Sequence, residues 1–145
     1  MKMVFEELGR KEVIDLPENI AKIFSLDRHG AEIIEKLIEK KAFKSNVEEL
    51  KKSQLTNRSV LVTYDDFKSK QMKSKAIKKM ERLGLVAHKI MRIKSTSGEE
   101  KKAMFFYFTF DSFKDFWELK MQEIEFYAEK YRKYFEDMDQ QLKIK

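Results

Sequence analysis

The chain has 145 residues, of which 42% are hydrophobic and 39% charged, with a formal net charge of +6 and no cysteine. That composition predicts a folded domain and not a disordered tail, and the lack of cysteine excludes disulfides, thiolate metal sites and cysteine nucleophiles. Acidic residues stand near the start of the chain and no stretch of about 18 uncharged residues occurs, so we expect a cytoplasmic protein with neither a secretion signal nor a membrane span.

The positive charge is concentrated in one segment. Residues 67–94 contain ten Lys or Arg and a single acid, Glu81, which gives a net charge of +9, whereas the rest of the chain carries −3 in total. A helix that is merely solvated mixes both signs along its surface, as residues 32–41 do. We therefore interpret residues 67–94 as a surface for an anionic partner, above all a nucleic acid.

Residues 1–26 are interpreted as an N-terminal extension. Within them, Leu16-Pro17 resembles a helix entry, with proline in the first turn and apolar residues following at helical spacing. Asp27 is expected to cap a second helix, because an aspartate side chain can accept hydrogen bonds from the first free backbone N–H groups. The core-facing stripe of that second helix comprises Ile33, Ile34, Leu37 and Ile38.

Two short helices compete for the position before the basic segment. Asn46 is expected to cap the first of them, which runs through Val47 and Leu50. Thr63 is expected to cap the second, over residues 63–68, with residues 60–62 forming a short buried strand before it. The second candidate lies close to the basic segment, and we favour it as the preceding helix.

A helix and then a β-hairpin are predicted within and after the basic segment. The apolar stripe of the helix, over residues 69–83, comprises Met72, Ala76, Ile77, Met80 and Leu83. Gly84 follows as its C-terminal cap. Residues 85–94 and 103–110 predict two strands around a polar turn. The aromatic residues of the second strand could stack on bases, but core packing is favoured because no basic residues are interleaved with them.

The last segment, residues 112–143, predicts one long helix. Apolar residues recur there at alternating steps of four and three, an average period of 3.5 that is typical of a coiled-coil seam. The seam residues are Trp117, Met121, Ile124, Ala128, Tyr131, Phe135, Met138 and Leu142. Such a helix is about 48 Å long, too long to be covered by so small a domain. We therefore favour self-association over contact with another protein or with the chain's own domain.

The sequence Met80-Glu-Arg-Leu-Gly-Leu-Val86 carries a resemblance to a known family. It is similar to the end of the recognition helix in winged helix-turn-helix transcription regulators of microbes, broadly the ArsR, MarR and PadR type. The resemblance implies a mainly α fold with a small β-hairpin (α+β), a winged-helix DNA-binding domain over residues 27–110, and a C-terminal dimerisation helix over residues 111–145. The expected function is then transcription regulation by a homodimer that binds double-stranded DNA.

The predicted DNA contacts lie opposite the apolar stripe of the 69–83 helix. They comprise Lys70, Gln71, Ser74, Lys75, Lys78, Lys79 and Arg82. The major groove of DNA admits a helix, from which Gln, Ser and Lys reach base edges while other Lys and Arg meet phosphates. On the hairpin, Arg92 and Lys94 are expected to lie along phosphates or in a narrow minor groove. The role of Lys73, which falls toward the apolar side, is left open.

Other classes of function find little support in the sequence. His29 and His88 are isolated from further ligand residues, so no metal site is expected. No Gly-rich phosphate loop, nucleophile elbow or zincin motif is present, so neither an enzyme nor a cofactor is expected. Two alternatives stay open: a plasmid or viral replication or chromatin-architectural protein with the same fold, and a winged-helix module for protein interaction. A small-molecule effector is left open as well.

Overall fold

The computed structural model describes residues 1–7, 9–48, 61–94 and 98–142. These residues form helices and two small antiparallel hairpins, so the expected α+β class is confirmed. Contacts between residues divide the chain into two units, Met1–Asp111 and Ser112–Lys145. The first unit holds the two hairpins and the shorter helices, and the second holds one long helix.

A β-hairpin that the sequence did not predict opens the first unit. Strands β1 (Lys2–Glu7) and β2 (Arg10–Asp15) pair antiparallel, and Gly9 in the connecting turn has φ +76°, a left-handed conformation that glycine adopts without strain. Helix α1 (Leu16–Ile23) follows directly and contacts the next helix. Residues 1–26, interpreted from the sequence as an N-terminal extension, belong to the first compact unit.

Helix α2 (Arg28–Glu39) contacts α1, and it also contacts the basic helix and the last strand of the first unit, both described below. Its predicted cap is confirmed, because the Asp27 carboxylate accepts hydrogen bonds from the backbone N–H of His29 at 3.0 Å and of Gly30 at 3.3 Å. The predicted apolar stripe faces inward. Its buried members are Ile33, Ile34 and Leu37, with Ile38 half-buried at the edge.

Helix α3 (Lys44–Glu48) starts earlier than the sequence indicates. The prediction that Asn46 caps it is wrong: Asn46 lies inside the helix, and its amide donates to a backbone carbonyl five residues earlier. The Asp111 carboxylate caps the helix instead, accepting from the Ser45 N–H at 2.8 Å and from the Ser45 hydroxyl at 2.5 Å. A cap supplied from 66 residues away has no local signal. Leu50, predicted for the same helix, lies outside the described residues.

The prediction of a helix over residues 63–68 is wrong, because the structure has only a single 3₁₀ turn (Tyr64–Asp66) there. Thr63 caps the turn as expected through a capping box, in which the Asp66 carboxylate accepts from the Thr63 N–H at 2.8 Å. The turn stops after one cycle because Phe67 takes an extended backbone conformation and buries its ring.

Helix α4 (Lys70–Arg82) is the predicted basic helix. Gly84, at φ +73°, ends it as expected, because the left-handed conformation reverses the chain at little strain for glycine. The Gly84 N–H bonds to the Glu81 carbonyl and the Leu85 N–H to the Met80 carbonyl, both at 3.0 Å. This pair of bonds is a Schellman motif, which satisfies carbonyls at the end of the helix.

The buried side of α4 departs from its predicted stripe at one position. The members that face inward are Ala76, Ile77 and Met80, with Leu83 half-buried. The prediction for Met72 is wrong, since this residue is 43% exposed, whereas its neighbour Lys73 is 1% exposed. Helical geometry explains the exchange: Lys73 lies about 20° around the axis from Met80, and Met72 about 80° from it.

Strands β3 (Val86–Lys94) and β4 (Glu100–Phe108) form the predicted second hairpin. The other edge of β4 is paired at two points, where Phe43 and Val62 form single bridges with it. Of the strand predicted over residues 60–62, the described residues 61 and 62 keep only the single bridge at Val62, so no strand forms there, and residue 60 lies outside the described residues. The core role of the aromatic run is confirmed, because β4 buries Phe105, Phe106 and Phe108 completely.

The second unit is helix α5 (Phe113–Gln141). Ser112 caps its start by accepting a hydrogen bond from the Asp115 N–H at 3.3 Å. The boundaries therefore agree with the predicted helix over 112–143 to within two residues, although residue 143 itself lies outside the described residues. Within one chain, seven of the eight predicted seam residues are exposed and Met121 is half-buried.

Candidate nucleic-acid interface

A buried lysine holds α4 against α2. The Nζ atom of Lys73 lies 2.7 Å from Nδ1 of His29 and also donates to a carboxylate oxygen of Glu32. The ring of Phe67 lies 6.0 Å from the same ammonium, within the range of a cation–π contact. An ammonium group has only donors, so His29 Nδ1 acts as the acceptor. The hydrogen bond from Lys73 is the main cause that lowers the pKa of Glu32.

A second lysine fixes the approach of the chain to α4. Lys40 follows the last residue of α2 and donates to the Leu61 carbonyl and to the Asp66 carboxylate, both at 2.8 Å. Asp66 ends the 3₁₀ turn, and the chain then enters α4 through Ser69 at φ +57°. Lys40 therefore ties the turn to α2, and Lys73 ties the helix to α2. The exposed side of α4 is supported by both contacts.

Opposite its buried side, α4 presents an exposed surface without acids, which we call the basic face. It consists of Gln71, Lys75, Lys78 and Arg82. At about 100° per residue these four positions lie within about 60° of one another around the helix axis. In the described ranges of the chain, no carboxylate forms a salt bridge with Lys75, Lys78 or Arg82. Their charges are available to an anionic ligand.

The one acid of the basic segment is engaged away from the basic face. An Oε1 atom of Glu81 lies 2.6 Å from Nδ1 of His88 on β3. Around the helix, Glu81 is about 90° from the centre of the basic face. The turn at Gly84 brings the two side chains together although seven residues separate them in the sequence. The sequence showed the acid but not its partner.

The predicted contacts at the flanks of the basic face have partners within the protein. Lys70 forms a salt bridge with Asp65 at 2.9 Å, and Lys79 donates to the Ser25 carbonyl at 2.5 Å. Ser74 is half-buried. Of the seven α4 residues predicted to contact DNA, these three therefore lie at the edge of the surface. The other four form the basic face.

The second hairpin adds an exposed cationic position. Arg92 on β3 stands opposite Lys102 on β4, and its guanidinium lies 3.7 Å from the Glu100 carboxylate. That pair is largely exposed, so it holds Arg92 only weakly. Lys94 is the last residue of β3, and its side chain, like residues 95–97, lies outside the described part of the chain.

Comparison of the chain with protein-family models, with curated proteins and with solved structures gave no match. A search of the described residues found no group of three or more side chains that could hold a metal ion. The helices within the described ranges also include none with the length and apolar character needed to cross a bilayer. A functional assignment therefore depends on the geometry of α4, the second hairpin and α5.

Proposed function

We propose that the protein is a winged helix-turn-helix transcription regulator that binds double-stranded DNA as a homodimer. In this interpretation α4 is the recognition helix and the hairpin β3–β4 is the wing. The observation that carries the proposal is the basic face of α4, where Lys75, Lys78 and Arg82 project without carboxylate partners among the described residues. The contacts of Lys73 with α2, and of Lys40 with Leu61 and Asp66, supply the rigid support that groove recognition requires.

The order of residues along the basic face suggests that some of them contact bases in the major groove and others contact phosphates. Residues near the N-terminus of a recognition helix reach base edges most readily. Gln71, in the first turn, is placed for a bidentate contact with adenine, and Lys75 one turn later for the acceptors of guanine. Lys78 and Arg82, farther along the helix, meet phosphates, which position the helix without reading the sequence.

The α5 seam supports the homodimer in this proposal. Apolar residues stay exposed along the 29 residues of α5. An amphipathic helix needs a second surface to cover its apolar side. A second copy would cover the seam and bring a second basic face into the complex. Two-fold symmetry then predicts a pseudo-palindromic binding site with two half-sites.

A duplex-binding titration tests the proposal. Affinity for a labelled duplex is measured at several salt concentrations for the wild type and for Lys75→Glu/Lys78→Glu. A matched control, Lys11→Glu/Lys22→Glu, makes the same change in net charge at exposed positions of β2 and α1. We expect the first variant to lose about 100-fold in affinity and the control to change by a few fold at most. Equal losses would show that net charge, and not the basic face, drives binding.

Selection of bound duplexes from a random pool separates the proposed regulator from the alternatives. A sequence-specific regulator returns a palindromic consensus, bound about 10³-fold or more tighter than bulk DNA. An architectural or replication protein of the same fold returns DNA without a sharp consensus. A winged-helix module for protein interaction binds no duplex even at low salt, and that result would overturn the proposal.

A further inference from the structure

We propose that the α5 helices of two copies pair antiparallel, in a register that superimposes the midpoints of their seams. The inference rests on the proposed homodimer and adds the direction and register of pairing. It depends on the seam residues of the second unit alone. The seam runs from Trp117 to Leu142, so its midpoint falls between residues 129 and 130.

The apolar surface on α5 is large enough for a stable pair. Five aromatic residues on one side of the helix are between 44% and 59% exposed: Trp117, Tyr127, Tyr131, Tyr134 and Phe135. At roughly 200 Å² for each aromatic side chain, about half of that area exposed leaves roughly 500 Å² on these five alone. A standard interface buries about 800 Å² per partner, so the aliphatic seam residues need to supply only the remainder. Phe126 lies on the opposite side of the helix, outside the seam.

In the antiparallel register, each seam residue packs against a seam residue of the other copy that has a different residue number. The layers are Trp117 with Leu142, Met121 with Met138, Ile124 with Phe135, and Ala128 with Tyr131, each formed twice. Every layer combines an a position of the heptad with a d position, as antiparallel pairing of two helices requires. The smallest side chain, Ala128, is placed against a large one, Tyr131, so the distance between the helix axes can stay even along the seam.

Parallel pairing gives a much less even seam. Each residue then faces its own copy, so a layer of two Ala128 side chains stands next to a layer of two Tyr131 side chains. The first leaves a void and the second crowds two rings, and both defects destabilise a packed interface. The a positions are Met121, Ala128, Phe135 and Leu142. They lack the β-branched residues that favour parallel dimers at these positions.

The residues that flank the seam do not decide the direction of pairing, because the antiparallel register forms one attractive contact and also brings Glu118 close to Asp139 of the partner, a repulsive pair. Glu125 comes close to Arg132 of the partner, and Tyr127 to Tyr134 of the partner, each contact occurring twice. Within one chain Arg132 already binds Glu129 at 2.6 Å, so the partner's carboxylate would extend an existing ionic cluster. A parallel pair would also form one attractive flanking contact, and the layer sizes therefore determine the direction.

Antiparallel pairing places the starts of the two α5 helices far apart. The two Phe113 residues would be separated by about 50 Å along the axis of the pair, at ~1.5 Å per residue. In a parallel pair they would stand side by side. The two copies of the first unit would thus be joined to opposite ends of the helix pair.

Site-directed crosslinking tests the direction of pairing, and the natural lack of cysteine makes each introduced thiol unique. Full-length Met121→Cys and Met138→Cys are treated with a short bismaleimide, separately and as an equimolar mixture. We expect covalent dimers mainly in the mixture, at least five times the yield of either variant alone. In the antiparallel register two copies of Cys at the same position would be about 26 Å apart, beyond the reach of the reagent.

A control pair and a mass measurement complete the test. Gln122→Cys mixed with Asp137→Cys places thiols at the same level of the helix pair but off the seam, and we expect little crosslinking from it. Crosslinking of each single variant with itself would show parallel pairing and overturn the inference. A one-chain mass by sedimentation would overturn both this inference and the homodimer, while duplex binding measured on the same sample reports separately on the basic face.

Discussion

Lys73 lies in the middle of the most basic segment of the chain, yet its ammonium is buried 2.7 Å from His29 Nδ1. One of the ten cations in residues 67–94 therefore belongs to the interior and not to the surface. Within α4, the contacts of Lys70 and Lys79 with Asp65 and Ser25 restrict two more. Fewer positive charges of α4 are therefore available to a ligand than the sequence of the segment indicates, and the available ones lie on the basic face.

Replacing Lys73 is expected to destabilise the fold, because the change removes a buried side chain and the ammonium group that donates hydrogen bonds to both His29 and Glu32. We expect Lys73→Ala to lower the free energy of unfolding by about 2–4 kcal/mol. Lys75→Ala on the exposed side of the same helix is the matched control, with an expected change within about 0.5 kcal/mol. Urea unfolding measures both, and equal small changes would contradict the buried role of Lys73.

The stability contributed by Glu32 is expected to depend on pH. Its pKa lies below the ordinary value of 4.5, first because Lys73 donates a hydrogen bond to the carboxylate. A lowered pKa means that the ionised form stabilises the folded state, so this stability is present above about pH 4.5 and is lost as the pH falls through the lowered pKa. Thermal unfolding should show a higher Tm for the wild type than for Glu32→Gln at pH 7, and this difference in Tm should shrink as the pH falls below 4.5. A difference that stays constant with pH would exclude this linkage.

Two methionines of α4 provide a test of which side of the helix is buried. Met80 is fully buried and Met72 is 43% exposed, although the sequence placed both in one stripe. We expect Met80→Ala to destabilise the fold by about 2–5 kcal/mol. Met72→Ala, the same substitution two turns earlier, should lower stability by less than about 1 kcal/mol. Comparable losses measured by chemical unfolding would place Met72 in the core after all.

The elements that the sequence predicted are those whose signals are local. Asp27 caps α2 from within three residues, and Gly84 ends α4 through bonds to the turn just before it. The period of 3.5 likewise lies within α5 itself. These features need no knowledge of the rest of the fold.

The features that the sequence did not predict depend on distant contacts. Asp111 caps α3 from the far end of the first unit, and Lys73 is buried because α2 brings His29 and Glu32 to it. The first hairpin also escaped prediction, since apolar residues occur on both of its faces and the alternation is weak. Opposite charges in register, such as Glu6 with Lys11, were a signal that could have indicated it.

Gln71 and Lys78 lie on the same basic face but are expected to contribute to DNA binding in different ways. Lys78→Ala removes a phosphate contact, so affinity should fall for every duplex and the slope of log K against log salt should decrease by about 1. Gln71→Ala removes a base contact and should leave that slope unchanged. Its expected effect is a loss of about 1–3 kcal/mol in discrimination at one base pair of the selected site.

Fluorescence anisotropy with the selected duplex, with single base-pair variants and with unrelated duplex measures both quantities for the two variants. An equal loss of affinity for every duplex by Gln71→Ala, with no change in discrimination between base pairs, would assign this residue to the backbone of DNA. A loss of discrimination in Lys78→Ala with an unchanged slope would place the lysine on a base. Unchanged binding of both variants would show that α4 does not lie in the groove. If α4 did lie there, removing either of these exposed side chains would change affinity or specificity.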